Sequence, residues 1–215
     1  MKINMLESIK KVKRNINSRN KNKTIKTIIE SKKFKKLYFD GPRKYGYGGY
    51  NYDGRWKEVV KKFIKIYKLK KNDKVLDIGC AKGYLVYDFC KAKIDAYGVD
   101  ISKYALKKCP KEIKNKLFIS SAEKLPFKKN EFKLAISINT IHNLPLSKCK
   151  KAISEIKRVS SKHSFIQVDA YYNVSQKKKF LNWVLTAKTH NYPKNWIKIF
   201  KEVKYDRDYY WTILE

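Results

Sequence analysis

The segment that most constrains this chain is VLDIGCAKGYL, residues 75–85. It starts as a buried strand, and Asp77, Gly79 and Gly83 then frame a tight turn into a helix. Such a turn calls for glycine, which adopts left-handed backbone angles without steric cost and lets a ligand approach main-chain N–H groups closely. Downstream, the next apolar run ends in Gly98-Val99-Asp100, where a carboxylate can accept hydrogen bonds from both hydroxyls of a ribose.

From Lys74 onward short apolar runs alternate with helical segments, the pattern of a parallel sheet with crossover helices. Strands are predicted at 74–78, 94–100, 116–120, 132–138, 164–169 and 209–214, and helices at 83–92, 102–109 and 147–160. Ser147 is the expected N-cap of the last helix, which should bury Ala152, Ile153, Ile156 and Val159. The fold class expected is α/β, a doubly wound and mostly parallel sheet with helices on both faces.

A length of 215 residues suits one domain. The net charge of +33, from 52 Lys plus Arg against 19 Asp plus Glu, points first to nucleic acid or an anionic membrane. Arginine, however, occurs only at 14, 19, 43, 55, 158 and 207. Because arginine is the side chain suited to bidentate phosphate and base recognition, a lysine surplus reads better as a solvated surface. Such partners are therefore possible but not favoured. Cys80, Cys90, Cys109 and Cys149 form no Cys-x-x-Cys pair and no cluster with histidine, so no metal is expected and a reduced compartment is. No apolar run reaches the roughly 18 residues that span a bilayer. With no secretory pattern at the N-terminus either, the expected location is the cytoplasm.

Residues 1–35 are basic and read as an N-terminal extension to a domain over 36–215. Within them Ile3, Leu6, Ile9, Val12 and Ile16 have the spacing of a short amphipathic helix. The stretch from Tyr38 to Trp56, YFDGPRKYGYGGYNYDGRW, follows. Its glycines exclude a regular helix, and its tyrosines can close over an apolar or cationic ligand. Trp56, Val59, Val60, Phe63, Ile64 and Tyr67 then mark one face of a helix.

The glycine turn resembles that of the class I methyltransferase family, Asp/Glu-x-Gly-x-Gly-x-Gly: Asp77, Gly79 and Gly83 match, and Ala81 replaces the middle glycine. The likeness extends over about residues 55–215. It implies a Rossmann-like, seven-stranded sheet and S-adenosylmethionine as cofactor. The cofactor contacts it implies are Asp77, Gly79, Cys80, Ala81, Gly83, Asp100, Ile101, Ser121, Ala122 and Asn139. Ser121 stands where the family usually has the aspartate that faces adenine, and Lys133 stands where aspartate is common. A nicotinamide dehydrogenase would instead show Gly-x-Gly-x-x-Gly and a separate substrate domain, for which the chain has no room.

Methyl transfer needs in-line alignment above all, and a base only when the acceptor arrives protonated. His142 and Asp169 are the candidate catalytic residues, and Tyr45, Tyr47, Tyr50, Arg55, Tyr171, Trp183 and Thr186 the candidate acceptor contacts. The fourth strand is followed by Asn139-Thr140-Ile141-His142 in place of an Asn/Asp-Pro-Pro-aromatic motif, and no cysteine is placed for pyrimidine C5 chemistry. The expectation is thus methyl transfer to N, O or S of a small-molecule acceptor. The rivals are a lipid or RNA methyltransferase held on an anionic surface by the basic N-terminus, and a non-catalytic cofactor-binding module suggested by Ala81, Ser121 and Lys133.

Overall fold

The computed structural model describes residues 1–10 and 14–214. Helices α1 (Ile16–Lys21), α2 (Ile25–Lys32), α3 (Lys36–Asp40) and α4 (Trp56–Tyr67) precede the sheet. Then follow β1 (Lys74–Ile78), α5 (Tyr84–Lys91), β2 (Asp95–Asp100), α6 (Lys103–Lys107), β3 (Leu117–Ile119) and β4 (Phe132–Ile138). The chain continues with α7 (Leu146–Val159), β5 (Ser160–Ala170), α8 (Val174–Trp183), α9 (Pro193–Glu202) and β6 (Asp208–Ile213). The strands lie in the order β3-β2-β1-β4-β5-β6, and every pairing is parallel.

Alternation along the strands divides the core in two, because successive side chains of a strand point to opposite faces. Leu76, Ile166 and Val168 pack with Ala152, Ile153 and Ile156 of α7 and Trp196 of α9. Val75, Leu134 and Phe165 pack on the other side with Val59 and Phe63 of α4 and Val86 and Phe89 of α5. Among the described residues no helix is long and apolar enough to cross a membrane.

Three expectations are corrected. The described sheet has six strands, not seven. Its β6 edge is met by the N-terminus: the Ile3 amide donates to the Tyr209 carbonyl at 3.0 Å, the Tyr209 amide to the Met1 carbonyl at 3.0 Å, and the Met1 ammonium lies 2.8 Å from Asp208. Covering the edge in this way satisfies strand groups that would otherwise be open to other chains. Secondly, the helix expected through Ile3, Leu6 and Ile9 is a turn over residues 5–8. The extended pairing at residues 1–3 takes Ile3 out of any helix. Met5 is instead fully buried, with Ile3, Leu6 and Ile9 packed on the same cluster and Glu7 paired with Lys62 of α4. Val12 lies outside the described residues. Thirdly, α7 starts after Pro145 and not at Ser147; the fixed φ of proline, here −57°, and its carbonyl, bonded by the Cys149 amide at 2.8 Å, set the first turn.

Met5→Ala tests how far the N-terminus belongs to the core. Removing a fully buried methionine side chain should lower stability by about 2–5 kcal/mol in denaturant unfolding. A loss within about 0.5 kcal/mol, the size of a surface substitution, would show that residues 1–10 contribute nothing to the fold.

Candidate active site

At the end of β1 the chain turns back on β2. The amides of Gly79 and Cys80 both donate to the Val99 carbonyl, at 2.8 and 3.0 Å, and the Gly83 amide donates to the Cys80 carbonyl at 2.8 Å. Gly79 has φ +84°, and a Cβ there would stand 2.1 Å from the Thr140 hydroxyl, so no side chain fits. Ala81 has φ +53°, a conformation that costs a residue with a Cβ about 1–2 kcal/mol. Its methyl is buried in a cluster with Phe39 and Ala105, which offsets part of that cost.

Asp100, the last residue of β2, fastens this turn. Its Oδ2 accepts from the Ala81 amide at 2.8 Å and its Oδ1 from the Ser102 amide at 2.8 Å. Burial raises its pKa while these backbone bonds oppose the rise. Asp77 is 6% exposed, and burial, with the Asp100 carboxylate adding, pushes its carboxyl up to about 8.

The tyrosine segment lies on this turn. The Asp40 carboxylate at the end of α3 accepts from Lys82 Nζ at 2.6 Å, the Tyr104 hydroxyl at 2.8 Å and the Tyr50 amide at 3.2 Å. Lys82, inside the glycine turn, is only 4% exposed. The Tyr84 hydroxyl donates to the Tyr50 carbonyl at 3.1 Å, the Tyr52 hydroxyl to Asp88 at 2.6 Å and the Ser102 hydroxyl to the Phe34 carbonyl at 2.5 Å. Tyr38, Tyr47 and Tyr50 join Phe39 in one aromatic cluster, with Tyr47 and Tyr50 ring centres 4.6 Å apart. The Tyr38 phenol is buried beside Thr186 and feels the charges of both Asp100 and Asp169; burial, then Tyr47, holds its pKa well above the usual phenol range.

Asp169 stands near the end of β5. His142, in a short turn after β4, is 4% exposed; its Nδ1 accepts from the Asp169 amide at 3.2 Å, and its Nε2 is 3.4 Å from Asp169 Oδ2. Burial lowers the His142 pKa and the Asp169 charge opposes it, so the ring is neutral near pH 7. With Nδ1 accepting, hydrogen-bond logic places the single proton on Nε2, facing Asp169. His190 joins this end: its Nδ1 is 3.1 Å from the Tyr171 hydroxyl, and burial lowers its pKa against the pull of Asp169.

The residues expected to bind ligands therefore separate. Asp77, Gly79, Ala81 and Gly83 share the turn with Asp100, and Tyr47 and Tyr50 lie over it. Ile101 is 53% exposed beside Asp100, and Ser121 and Ala122 follow β3. Thr186, His142 and Asp169 gather near Tyr38, with Tyr171 behind them against His190.

Five residues are placed elsewhere. Cys80 is packed in the core against Gly98, and its amide and carbonyl are spent on Val99 and Gly83. Asn139, at φ +53°, turns its side chain to accept from Thr212 of β6 at 2.8 Å, away from β2. Tyr45 lies beside Lys44 and outside the aromatic cluster. Arg55 pairs with Asp53, its neighbour two residues back, on an exposed stretch. Trp183 stacks under arginines from α1 and the tyrosine segment. Sequence reading missed Tyr38, Asp40, Lys82 and His190. Tyr38 opens the aromatic stretch and His190 is one of three histidines, but the Asp40–Lys82 pair spans 42 residues and has no local signal.

A family model described as a methyltransferase domain matches residues 69–210. The chain belongs to this methyltransferase family. An uncharacterized protein of Methanocaldococcus jannaschii is 32% identical over 109 residues, 50% of this chain and 41% of that protein, so the match takes in under half of the relative's length. Among solved structures, a SAM-dependent methyltransferase from Archaeoglobus fulgidus superposes with a TM-score of 0.54 at 21% identity, covering 68% of each chain. A SAM-dependent methyltransferase from Methanosarcina mazei gives 0.52 at 18% identity, over 66% of this chain and 82% of that one. These likenesses are likenesses of fold.

Two measurements follow from the site's electrostatics. In a double-mutant cycle, Asp40→Ala and Lys82→Met should couple by about 0.5–3 kcal/mol in unfolding free energy; additivity would show that the pair does not hold the tyrosine segment. For Asp77, the folded chain keeps a proton that the unfolded chain releases near 3.8, so stability falls as pH rises towards the folded pKa of about 8. The histidines act the other way but only below their ordinary value of 6.5. Ligand-free stability should therefore drop by up to about 2 kcal/mol between pH 6.5 and 8, and Asp77→Asn should flatten that slope. A slope unchanged by the substitution would mean that Asp77 is already ionised.

Proposed function

We propose that this chain is an S-adenosylmethionine-dependent methyltransferase that moves a methyl group to an N, O or S atom of a small molecule enclosed beneath the tyrosine segment. The observation that carries this reading is the direct fastening of that segment to the glycine turn through Asp40 and Lys82, with the Tyr38 phenol set among Thr186, Asp100 and Asp169.

The residues fit the cofactor. Backbone at Gly79 is bare, Asp77 accepts no hydrogen bond from the described residues, and each Asp100 oxygen keeps a lone pair beyond its one backbone bond. Ile101 offers an exposed apolar side chain beside Asp100 for a base to cover. When bound, the cofactor supplies a methyl group on a sulfonium centre, ready for in-line displacement. Tyr47 and Tyr50 shield the site from water and present ring faces to positive charge. Asp169 orients the acceptor or takes its proton, whereas His142, with one nitrogen occupied by backbone and the other turned to Asp169, is a positioning residue.

A small acceptor is favoured over a polymer or a lipid because the tyrosine segment roofs the site and is tied down at Lys82, Tyr84, Asp88 and Ser102. The N-terminal residues on which surface attachment would draw are partly used in the core. We treat residues 36–215 as the catalytic unit, 1–35 as an extension wrapped on it, and the cytoplasm as its place of action.

Asp100→Ala should weaken S-adenosylmethionine binding by about 1.5–3 kcal/mol in calorimetry, the worth of hydrogen bonds to a charged group. Gly79→Val should abolish it. An unchanged dissociation constant in either variant, with circular dichroism showing an intact fold, would remove the cofactor assignment. Screening small acceptors by release of S-adenosylhomocysteine then tests the substrate class, and turnover confined to RNA or vesicles would overturn it.

A further inference from the structure

On the outer side of the tyrosine segment, three of the chain's six arginines converge on one indole. The guanidinium carbons of Arg19, Arg43 and Arg14 lie 4.5, 5.3 and 5.5 Å from the Trp183 ring centre. With Lys44, Asn15, Ser18 and Asn22 they line a cavity of about 240 Å³.

Among the described residues no carboxylate comes within salt-bridge distance of Arg14, Arg19 or Arg43, whereas Arg55 and Arg158 each pair with an acid at 2.5 Å. Arg19 is only 7% exposed. Burial, then the charges of Arg43 and Arg14, push its guanidinium down to about 10. Arg19 donates to the carbonyls of Lys44 at 3.2 Å and Gly46 at 3.1 Å. Arg43 Nη1 donates to those of Gly46 at 2.7 Å and Tyr47 at 2.8 Å. A guanidinium carries five N–H donors, so both side chains keep donors in reserve. The indole face attracts cations but carries no charge to neutralise them. Clustered like charges beside buried surface are costly, and the missing component is an anion.

We propose that this cavity binds a small phosphate-bearing anion, held by the forks of Arg19 and Arg43. A phosphate matches guanidinium forks in geometry and brings more than one negative charge to an excess of cations. The same two arginines hold the Gly46 carbonyl, next to Tyr47 of the active-site cluster. Anion binding therefore fixes the tyrosine segment from outside while the Asp40–Lys82 pair fixes it from within. The proposal does not depend on the methyl-transfer reading, since its site and ligand are separate from the glycine turn.

The test uses the full chain and sodium pyrophosphate at constant ionic strength. Calorimetry should show saturable one-to-one binding, and Arg43→Gln should weaken it at least about tenfold, the loss expected of charge-assisted hydrogen bonds. Arg43→Lys should also weaken it, because the charge remains but the fork is lost, whereas Lys61→Gln, a change of one exposed charge elsewhere, should bind as the native chain does. Pyrophosphate should slow tryptic cleavage after Lys44 in the native chain and not in Arg43→Gln. Should Arg43→Gln fail to fold, Arg43→Lys, which keeps the charge and loses the fork, carries the comparison. Absence of saturable binding, equal losses in Arg43→Gln and Lys61→Gln, or retention only on RNA or phosphatidylglycerol vesicles would overturn the proposal.

Discussion

One carboxylate ties the glycine turn to the exit of the second strand. Asp100 bonds the Ala81 amide with one oxygen and the Ser102 amide with the other, so the turn after β1 and the start of α6 are set by a single side chain. Each is a charge-assisted bond away from bulk water, where leaving a donor unpaired costs about 1–3 kcal/mol. Lys82 and Ala81, on that turn, carry the contacts to Asp40 and Phe39 that seat the tyrosine segment. Asp100 thus also supports, through this turn, the seating of the tyrosine segment.

The sheet was largely legible because its signals are local. Apolar runs, their spacing and the two glycines locate all six strands and the helices α5, α6 and α7, whereas α8 and α9, between β5 and β6, went unread. What failed was non-local or borrowed. A seventh strand was implied by resemblance, while the β6 edge is met by residues more than 200 positions away, Met1 lying against Asp208. Apolar spacing of three and four at Ile3, Leu6 and Ile9 fits a helix, yet it equally fits a turn laid over a core, and burial of Met5 decided between them. The β5 strand runs from Ser160, earlier than expected, because α7 passes into it with no glycine or proline to mark the junction.

In the candidate site the backbone conformation was legible, and the direction of the side chains less so. Gly79 and Gly83 needed only their conformations to be recognised. Cys80 and Asn139 lie in the right segments but face the core and β6, since a motif position fixes the main chain and leaves direction to packing. In the tyrosine segment the glycines break any periodicity, so nothing in the spacing separates Tyr47 and Tyr50, which enter the cluster, from Tyr45, which does not.

Tyr38 is the instructive omission, because it joins the two ends of the site. The glycine turn and Asp100 are built by the first two strands, while Asp169, Thr186 and His190 come from the chain after the fourth. Its buried phenol feels carboxylates from both, and burial keeps it protonated. A phenol has one proton to donate, so it can serve only one acceptor at a time. Thr186 lies beside it and opposes the rise in its pKa that burial and Tyr47 bring about. The tyrosine segment therefore lies between the turn after β1 and the end of β5, with one protonated phenol near the carboxylates of both.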